Sequence, residues 1–332
     1  MAARSASSTS PWRVNRNGKI ALAVSAGLVV VAAGSWFVTT VLPGLTASSP
    51  ISGRELYVDT GSSAAAALLE QAPDSAAAVS FETLASTPSA IWLVPEEHPT
   101  AEIGGYLAET VGAAAVDDQL PVFVVYGIPG RDCGNASAGG LSEAEYPEWI
   151  SAIATGLGSS ESIVILEPDS LALADECGNT EQRVDQLQTA ITRLEDSGAV
   201  IYLDGGHSNW HPASEMAPLL TNAGIDRVRG FATNVSNFNT TADERRYASA
   251  LSSLVGGAHY VVDTSRNGNG SDGEWCNPSG RAVGDYPNLD DSDSVFDANL
   301  WIKTPGESDG PCNGGPAAGV WWPEGAIALT SD

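Results

Sequence analysis

Seven short apolar runs recur along this sequence, and their spacing constrains its fold more than any other feature. Successive runs lie roughly 30–40 residues apart and are rich in branched residues, as strands alternating with helices would be. Strands that are apolar throughout are typical of a parallel sheet buried on both faces. Seven such units predict an α/β fold and favour a TIM-like parallel β/α barrel over an open sheet. The runs are Ile91–Val94, Val122–Gly127, Ile163–Leu166, Val200–Leu203, Gly230–Thr233, Tyr260–Val262 and Leu300–Ile302.

Two segments between these runs have helical patterns. Arg183–Ser197 places its apolar residues on one helical face, namely Val184, Leu187, Ile191 and Leu194. Thr241 and Glu244 have the spacing of a capping box, which predicts a helix that begins at this point. That helix would carry Tyr247, Leu251 and Leu254.

Polar residues directly follow six of the seven runs. The carboxyl ends of the strands build the active site of a β/α barrel, so we expect these residues to converge on one cleft. A single strand that ends in Asp is ordinary turn chemistry, but six polar ends together favour a functional site. The clusters are Arg131-Asp132-Cys133, Glu167-Pro-Asp169, Asp204-Gly-Gly-His207, Asn234, Asp263-Thr-Ser-Arg266-Asn267 and Lys303-Thr-Pro-Gly-Glu307-Ser-Asp309.

The chain divides into four regions by composition. Residues 1–19 are basic and are expected to stay in the cytoplasm, and residues 20–42 carry no charge. The uncharged run is long enough for a membrane anchor, which we favour, although a signal segment cleaved near Ala47 is the alternative. Residues 43–53 read as a short linker and residues 54–332 as a single catalytic domain. The domain is therefore expected outside the cell, secreted or tethered to the outer face of the membrane, with membrane contact only through the N-terminal segment.

The exported portion is strongly acidic. The chain has 15 Lys and Arg against 41 Asp and Glu, and four of the basic residues lie before position 50 in a stretch without acids. Such a surface repels nucleic acid and anionic membranes, whereas a neutral polymer meets no such penalty. Acidity that only keeps an extracellular protein soluble is the simpler interpretation.

The four cysteines fit an oxidising compartment. Cys133, Cys177, Cys276 and Cys312 allow three disulfide pairings from sequence alone. Their spacings match no compact zinc site, so we expect neither a metal nor another cofactor.

The polar strand ends are dominated by carboxylates. The sequence lacks the Walker glycine pattern of phosphate-binding loops. Many carboxylates with few histidines point to glycoside hydrolysis or to metal-assisted hydrolysis. Aromatic residues favour the first, because sugar rings stack on indoles and five aromatics lie at or just beyond strand ends. These are Trp92, Tyr126, Trp210, Trp275 and Trp301.

Two further residues are candidates for sugar contact. Lys303 is the only lysine beyond residue 19, and its ammonium could bind a sugar hydroxyl or form a structural ion pair. His207 and His211 have the i, i+4 spacing of helical metal ligands. Pro212 follows at once and fits a helix start better, so His207 is expected as a hydrogen-bonding residue of the cleft.

Seven segments of the sequence resemble the motifs of glycoside hydrolase family 6, the cellulases, in order and spacing from about residue 55 to 325. The resemblance implies a distorted seven-stranded β/α barrel and a β-1,4-glucan such as cellulose as the substrate. It also implies hydrolysis with inversion at the anomeric carbon. The segments are VVYGIPGRDCG, ILEPDSL, YLDGGHSNWH, FATNVSNF, VVDTSRNGNG, EWCNPSGRAVG and WIKTPGESDG.

The resemblance also implies roles for individual residues. Asp169 resembles the catalytic acid, and Asp132 the aspartate that raises its pKa and holds water. Asp309 resembles the proposed base, a role that a relayed water could take instead, and Asp204 a supporting carboxylate. Tyr126 resembles the tyrosine that distorts the −1 sugar. The implied disulfides are Cys133–Cys177 and Cys276–Cys312, and the implied sugar-binding set is Trp92, Arg131, His207, Trp210, Asn234, Trp275, Lys303 and Glu307.

Two departures from the family pattern lie near the predicted cleft. Gly127 stands where many members have Asn, and Phe238 where Tyr is common. The cysteines are 44 positions apart in the first implied pair and 36 in the second. Neither segment contains an insertion long enough to cover the cleft and form a tunnel. We therefore expect an endo-acting monomer. Exo action of the cellobiohydrolase type and a non-catalytic glucan-binding protein are the alternatives.

Overall fold

The computed structural model describes residues 51–73, 75–290, 292 and 294–331. The predicted cytoplasmic segment 1–19, the apolar run 20–42 and most of the linker 43–53 lie outside this part. Among the residues that the structure describes, no helix combines the length and the apolar character needed to cross a membrane.

Ten strands and eight α-helices alternate along the described chain. The strands are β1 Glu55–Leu56, β2 Ile91–Leu93, β3 Gln119–Leu120, β4 Val122–Val125, β5 Ser162–Leu166, β6 Ala199–Asp204, β7 Gly230–Thr233, β8 His259–Asp263, β9 Asn288–Leu289 and β10 Phe296–Leu300. The helices are α1 Ser63–Leu69, α2 Ala76–Ala85, α3 Thr100–Val116, α4 Tyr146–Leu157, α5 Thr180–Leu194, α6 Ala213–Ala223, α7 Thr241–Leu254 and α8 Pro323–Thr330.

Seven strands form the parallel sheet that the apolar runs predict. Their order is β2-β4-β5-β6-β7-β8-β10, with every neighbouring pair parallel. The short β9 adds an antiparallel edge to β10, and β1 pairs with β3 in a separate small sheet. The N–H of Ala90 donates to the carbonyl of Trp301 at 2.8 Å, and the indole of Trp92 donates to the carbonyl of Ile302 at 2.8 Å. These two bonds join the first and last parallel strands in place of a continuous ladder, which makes a distorted barrel.

The two faces of the sheet bury separate apolar layers. In β4, Val122 and Val124 belong to one cluster, whereas Phe123 and Val125 pack with residues of the surrounding helices. The period of two follows from the pleat of a strand. Because both layers are buried, the strands are apolar throughout, as the sequence indicates.

The last predicted strand is displaced in the structure. The apolar run predicts it at Leu300–Ile302, but β10 begins at Phe296 and ends at Leu300. Asp297 interrupts the apolar pattern and is nevertheless buried, because it accepts hydrogen bonds from Tyr202 Oη at 2.6 Å and from Arg229 Nε at 2.9 Å. A search for runs of apolar residues therefore excludes Asp297 from the strand, although hydrogen bonds make its burial possible.

Both predicted helices are present. The helix predicted at Arg183–Ser197 corresponds to α5, in which Leu187, Ile191 and Leu194 are buried. The capping box predicted at Thr241 and Glu244 is wrong by one residue, because Thr240 caps α7 by accepting the N–H of Asp243 at 3.2 Å. Glu244 is therefore free to turn towards the interior.

Candidate active site

The polar strand ends meet in one large cleft of about 1140 Å³. Asp204 and Asn234 do not line it, since both lie buried behind its wall. The other predicted site residues line the cleft together: Trp92, Tyr126, Arg131, Asp132, Asp169, His207, Trp210, Trp275, Lys303, Glu307 and Asp309.

Asp169 follows β5 and is partly exposed in this cleft. Its backbone has a φ of 67° and its N–H donates to Asp204 Oδ2 at 3.0 Å. Burial raises the pKa of Asp169 well above its usual range, and the negative charges of Asp204 and Asp132 raise it further. The carboxyl is therefore protonated where an ordinary aspartate is ionised.

Asp204 supports Asp169 from behind the cleft wall. It ends β6 and accepts the N–H groups of Asp169 and, at 3.2 Å, of Gly206. Burial raises the pKa of Asp204 to about 6, although the two backbone hydrogen bonds act in the opposite direction. Within the described part of the chain its Oδ1 has no hydrogen-bond partner. Asp204 contributes charge and loop geometry rather than contact with a ligand.

A disulfide ties the Asp132 loop to the segment that follows Asp169. Asp132 accepts the N–H of Ser137 at 2.8 Å, and its φ of 57° belongs to a tight turn. The neighbouring Cys133 is bonded to Cys177, with 5.9 Å between the Cα atoms. This pairing and the second one, Cys276–Cys312, are both confirmed.

Asp309 lines the same cleft and is held by a cation. Arg266 Nη1 lies 2.9 Å from its carboxylate, and the N–H of Asn277 donates to Oδ2 at 3.0 Å. The N–H of Asp309 donates back to Asn277 Oδ1 at 2.9 Å. Only 7% of the Asp309 side chain is exposed, so the guanidinium balances its charge in a poorly solvated place.

Tyr126 and Arg131 form one unit beside Asp132. Arg131 lies over the Tyr126 ring at 4.7 Å, donates to the Tyr126 carbonyl at 2.6 Å and pairs with Glu96 at 3.0 Å. Trp92 meets the Tyr126 ring edge to face at 5.2 Å. Burial and the charges of Asp169 and Asp132 raise the pKa of Tyr126, which keeps its hydroxyl neutral. The guanidinium N–H groups of Arg131 therefore bond to other groups of the protein.

Lys303 forms an ion pair and also lines the cleft. Its Nζ lies 3.6 Å from Glu307 Oε2, and it also faces the cleft 5.6 Å from the Trp92 ring. Ser63 Oγ, at the start of α1, donates to Glu307 Oε1 at 2.9 Å. The Ser63–Glu307 hydrogen bond therefore connects the loop after β10 with the start of α1, which also lines the cleft.

His207 lies in the cleft wall and is held by side-chain amides. Its Nε2 lies 3.1 Å from Asn237 Nδ2, and its Nδ1 lies 3.1 Å from Asn239 Nδ2. Burial lowers its pKa to about 4, so the imidazole is neutral at ordinary pH. Neither it nor His211 lies in a helix, and His211 Nε2 is 2.8 Å from the carbonyl of Ala172. The contacts fit a hydrogen-bonding role for His207.

The other sequence candidates separate into cleft and core. Trp275 lines the cleft with 55% of its surface exposed, whereas Trp301 is a core residue at 1%. Phe238 is buried beneath the guanidinium of Arg266 at 4.4 Å. A Cβ on Gly127 would lie 2.6 Å from the ring of Trp149, so this glycine serves packing behind the cleft.

The side chain of Asn234 is buried and forms hydrogen bonds only with other residues of the described protein. Its Nδ2 donates to the carbonyls of Asn239 and Asp263, at 3.1 and 2.9 Å, and its Oδ1 accepts the N–H of Asn239 at 3.1 Å. It shapes the loop after β7, and its predicted contact with sugar has no counterpart in the cleft lining.

Glu167 and Asp263 belong to the polar clusters that the sequence predicts in the cleft, but both are fully buried and neither lines it. Glu167 accepts the N–H groups of Gly127 and Ile128, and burial raises its pKa to about 7. Asp263 accepts N–H groups from three loops, including those of Ser236 and Lys303, each at 3.0 Å. Both directly follow or end a strand, a signal that marks their place in the sequence but not their role as buried acceptors of backbone N–H groups.

Comparisons with known proteins find similar sequences and a similar structure. The sequence profile of the family described as Glycosyl hydrolases family 6 matches residues 51–332. The chain is 46% identical over 252 residues to Endoglucanase A of Cellulomonas fimi, covering 75% of this chain and 55% of that protein. It is 43% identical over 286 residues to Endoglucanase 1 of Streptomyces sp. (strain KSM-9), covering 83% and 76%.

A solved structure is similar throughout the described domain. It is the endoglucanase Cel6 from Mycobacterium tuberculosis, in complex with methyl-cellobiosyl-4-deoxy-4-thio-β-D-cellobioside. The match has a TM-score of 0.80 and 44% sequence identity, and it covers 85% of this chain and 98% of that one.

Proposed function

Because the chain belongs to glycosyl hydrolases family 6, we propose that it hydrolyses β-1,4-glucosidic bonds of cellulose or related β-glucans in an endo-acting, inverting reaction. The three similar proteins above are all named endoglucanases, which supports the endo mode and the substrate class. A cleft of about 1140 Å³ has room for several sugar units, and Trp92, Trp210 and Trp275 offer it aromatic faces.

The observation that carries the proposal is the environment of Asp169. Glycoside hydrolysis needs one carboxyl that is protonated at the working pH, so that it can give its proton to the departing oxygen. Burial and the charges of Asp204 and Asp132 supply this condition for Asp169. Its side chain also neither donates nor accepts a hydrogen bond among the described residues, so a proton on it is available to a ligand in the cleft.

The partner base is Asp309 or a relayed water. Asp309 lies in the same cleft, which supports the direct role. Its ion pair with Arg266 at 2.9 Å supports the relayed water, because the guanidinium already occupies the carboxylate. An Asp309→Ala variant distinguishes them. Azide should restore its turnover and appear in a glycosyl azide if Asp309 is the base, and absence of rescue favours the relay.

We propose that the domain acts outside the cell as a monomer. Two disulfides and the acidic exported portion support an oxidising, extracellular setting. Residues 20–42 would supply a retained anchor or a cleaved signal. Mass spectrometry of the protein from membrane and medium fractions separates these two, since cleavage near Ala47 removes the apolar run.

The decisive test is the Asp169→Ala variant, with the exposed Asp175→Asn as its control. Asp169→Ala should lose at least about 100-fold in kcat on unactivated glucan, in line with the usual contribution of a general acid, while cellohexaose binding remains. Asp175→Asn should behave like the wild type. Near-normal turnover of Asp169→Ala would contradict the assignment.

Two product measurements test the mode of cleavage. Early products should be α-anomers by NMR, and β-anomers would contradict inversion. Carboxymethylcellulose should lose viscosity early, before many reducing ends appear. A wild-type protein without hydrolysis of any β-1,4-glucan would refute the proposed activity itself.

A further inference from the structure

The turn formed by residues 207–210, here called the His207 turn, presents two aromatic rings to the cleft. His207 and Trp210 both line the cleft, with ring centroids 5.5 Å apart. The N–H of Trp210 donates to the carbonyl of His207 at 3.0 Å, which closes the turn. Such a turn has no strand ladder of its own, so its position depends on contacts from other elements.

One set of contacts comes from the loop after β7. Asn237 and Asn239 bind the two ring nitrogens of His207, and Asn209 Nδ2 donates to Asn239 Oδ1 at 2.6 Å. These bonds orient the imidazole. They do not fix the backbone of the turn, which needs a partner of its own.

Helix α7 supplies that partner through Glu244. Its Oε1 accepts the N–H of Ser208, inside the His207 turn, at 2.9 Å. Glu244 is 0% exposed, although an unpaired buried carboxylate is costly to a protein. Its place in the first turn of α7 lets the positive end of the helix dipole favour an anion. Burial raises the pKa of Glu244 to about 7, so part of its population is neutral at that pH, and Oε1 can accept the bond in both forms.

Tyr247 extends the same helical face by three residues. Its hydroxyl donates to the carbonyl of Gly205 at 2.9 Å, two residues before His207. Residues at i and i+3 lie side by side on a helix, so Glu244 and Tyr247 reach the same loop from one surface. One bond accepts an N–H and the other donates to a carbonyl, which fixes the backbone at two points.

We propose that α7 is the platform that sets the sugar-binding geometry of the His207 turn, with Glu244 and Tyr247 as positioning residues. The inference rests on the proposed hydrolysis of β-1,4-glucans. Neither side chain lines the cleft, so both act through His207 and Trp210. Removing the Glu244 acceptor leaves the Ser208 N–H without its partner and lets the turn move out of register with the bound sugar.

The test compares Glu244→Leu, Glu244→Gln and Tyr247→Phe by steady-state kinetics on cellohexaose. Glu244→Leu should raise KM about tenfold, as expected for loss of one hydrogen bond to a buried carboxyl, with kcat within about twofold. Glu244→Gln keeps an acceptor oxygen and should restore KM to within about twofold of the wild type. Tyr247→Phe should raise KM about threefold, and it tests the platform even where Glu244→Leu fails to fold.

The neighbouring Asp243→Ala is the matched control. It removes a cap contact from the same turn of α7 without touching the His207 turn, so it should lower the melting temperature and leave KM unchanged. Unchanged KM in both Glu244→Leu and Tyr247→Phe, with lower melting temperatures, would overturn the proposal in favour of a purely structural role. A higher KM in Asp243→Ala would do the same. Either result requires an active wild type, so failure of the proposed hydrolysis is recognised separately.

Discussion

Removal of either disulfide should cost this domain nearly the same free energy of unfolding. The cysteines are 44 residues apart in Cys133–Cys177 and 36 in Cys276–Cys312. The chain-entropy relation depends only on the logarithm of loop length, so it gives about 4.0 and about 3.8 kcal/mol at 25 °C. For a domain of this size, each loss corresponds to a fall in melting temperature of roughly 10 °C.

The assay is calorimetric unfolding of two double variants, Cys133→Ser/Cys177→Ser and Cys276→Ser/Cys312→Ser, beside the wild type. If the bridges act on the unfolded chain, the losses should agree within about 1 kcal/mol and should appear as a larger entropy of unfolding. Activity well below the melting temperature should persist in the first variant, because the N–H of Ser137 still holds Asp132. Losses that differ by more than about 2 kcal/mol, or that are enthalpic, would refute the entropic reasoning.

Two other perturbations follow from the site. Asp204→Asn keeps an acceptor for the N–H groups of Asp169 and Gly206 but removes the charge that raises the pKa of Asp169. The basic limb of kcat/KM against pH should therefore move to lower pH, with a difference only above about pH 6, where Asp204 is ionised. An unchanged limb would contradict this coupling. Gly127→Ala places a Cβ 2.6 Å from the Trp149 ring and should destabilise the domain by about 1–3 kcal/mol in denaturant unfolding. Trp149→Phe should recover part of that loss, and additive losses would show that the contact is not responsible.

The parallel sheet was predictable because both of its faces are buried. Burial on both faces removes polar residues from a strand, so β4 and β5 stand out as continuous apolar runs. The convergence of Asp169 and Asp309 follows from the same premise, since parallel strands end at one edge. The failure at β10 has the complementary cause. Asp297 is buried through partners that lie far away in sequence, on Tyr202 and Arg229.

Other features depend on contacts that no local pattern encodes. Trp92 and Trp301 both lie near strand ends, yet one lines the cleft and the other is buried in the core. The inward turn of Glu244 depends on Thr240 taking the capping role one residue earlier than the pattern indicates. The pairing of Asp309 with Arg266 joins two loops that are 43 residues apart. Each outcome is decided by tertiary neighbours, and local spacing carries no information about them.

The carboxylates at the strand ends therefore fall into two groups. Some accept hydrogen bonds from other parts of the protein, and one does not. Glu167 and Asp263 accept backbone N–H groups from loops of other strands, so their oxygens are occupied and they act as fixed anchors. Asp309 is occupied by a guanidinium and an N–H. The Asp169 carboxyl alone in this comparison is raised in pKa, faces the cleft and has no donor among the described residues. A carboxyl oxygen that already accepts hydrogen bonds from the protein would have to break them in order to exchange a proton with a ligand. A carboxyl without such bonds can transfer a proton to the ligand without this cost. Occupancy by hydrogen-bond donors, rather than the number of acids, therefore distinguishes Asp169 from the other carboxylates and supports the proposal that it is the proton donor.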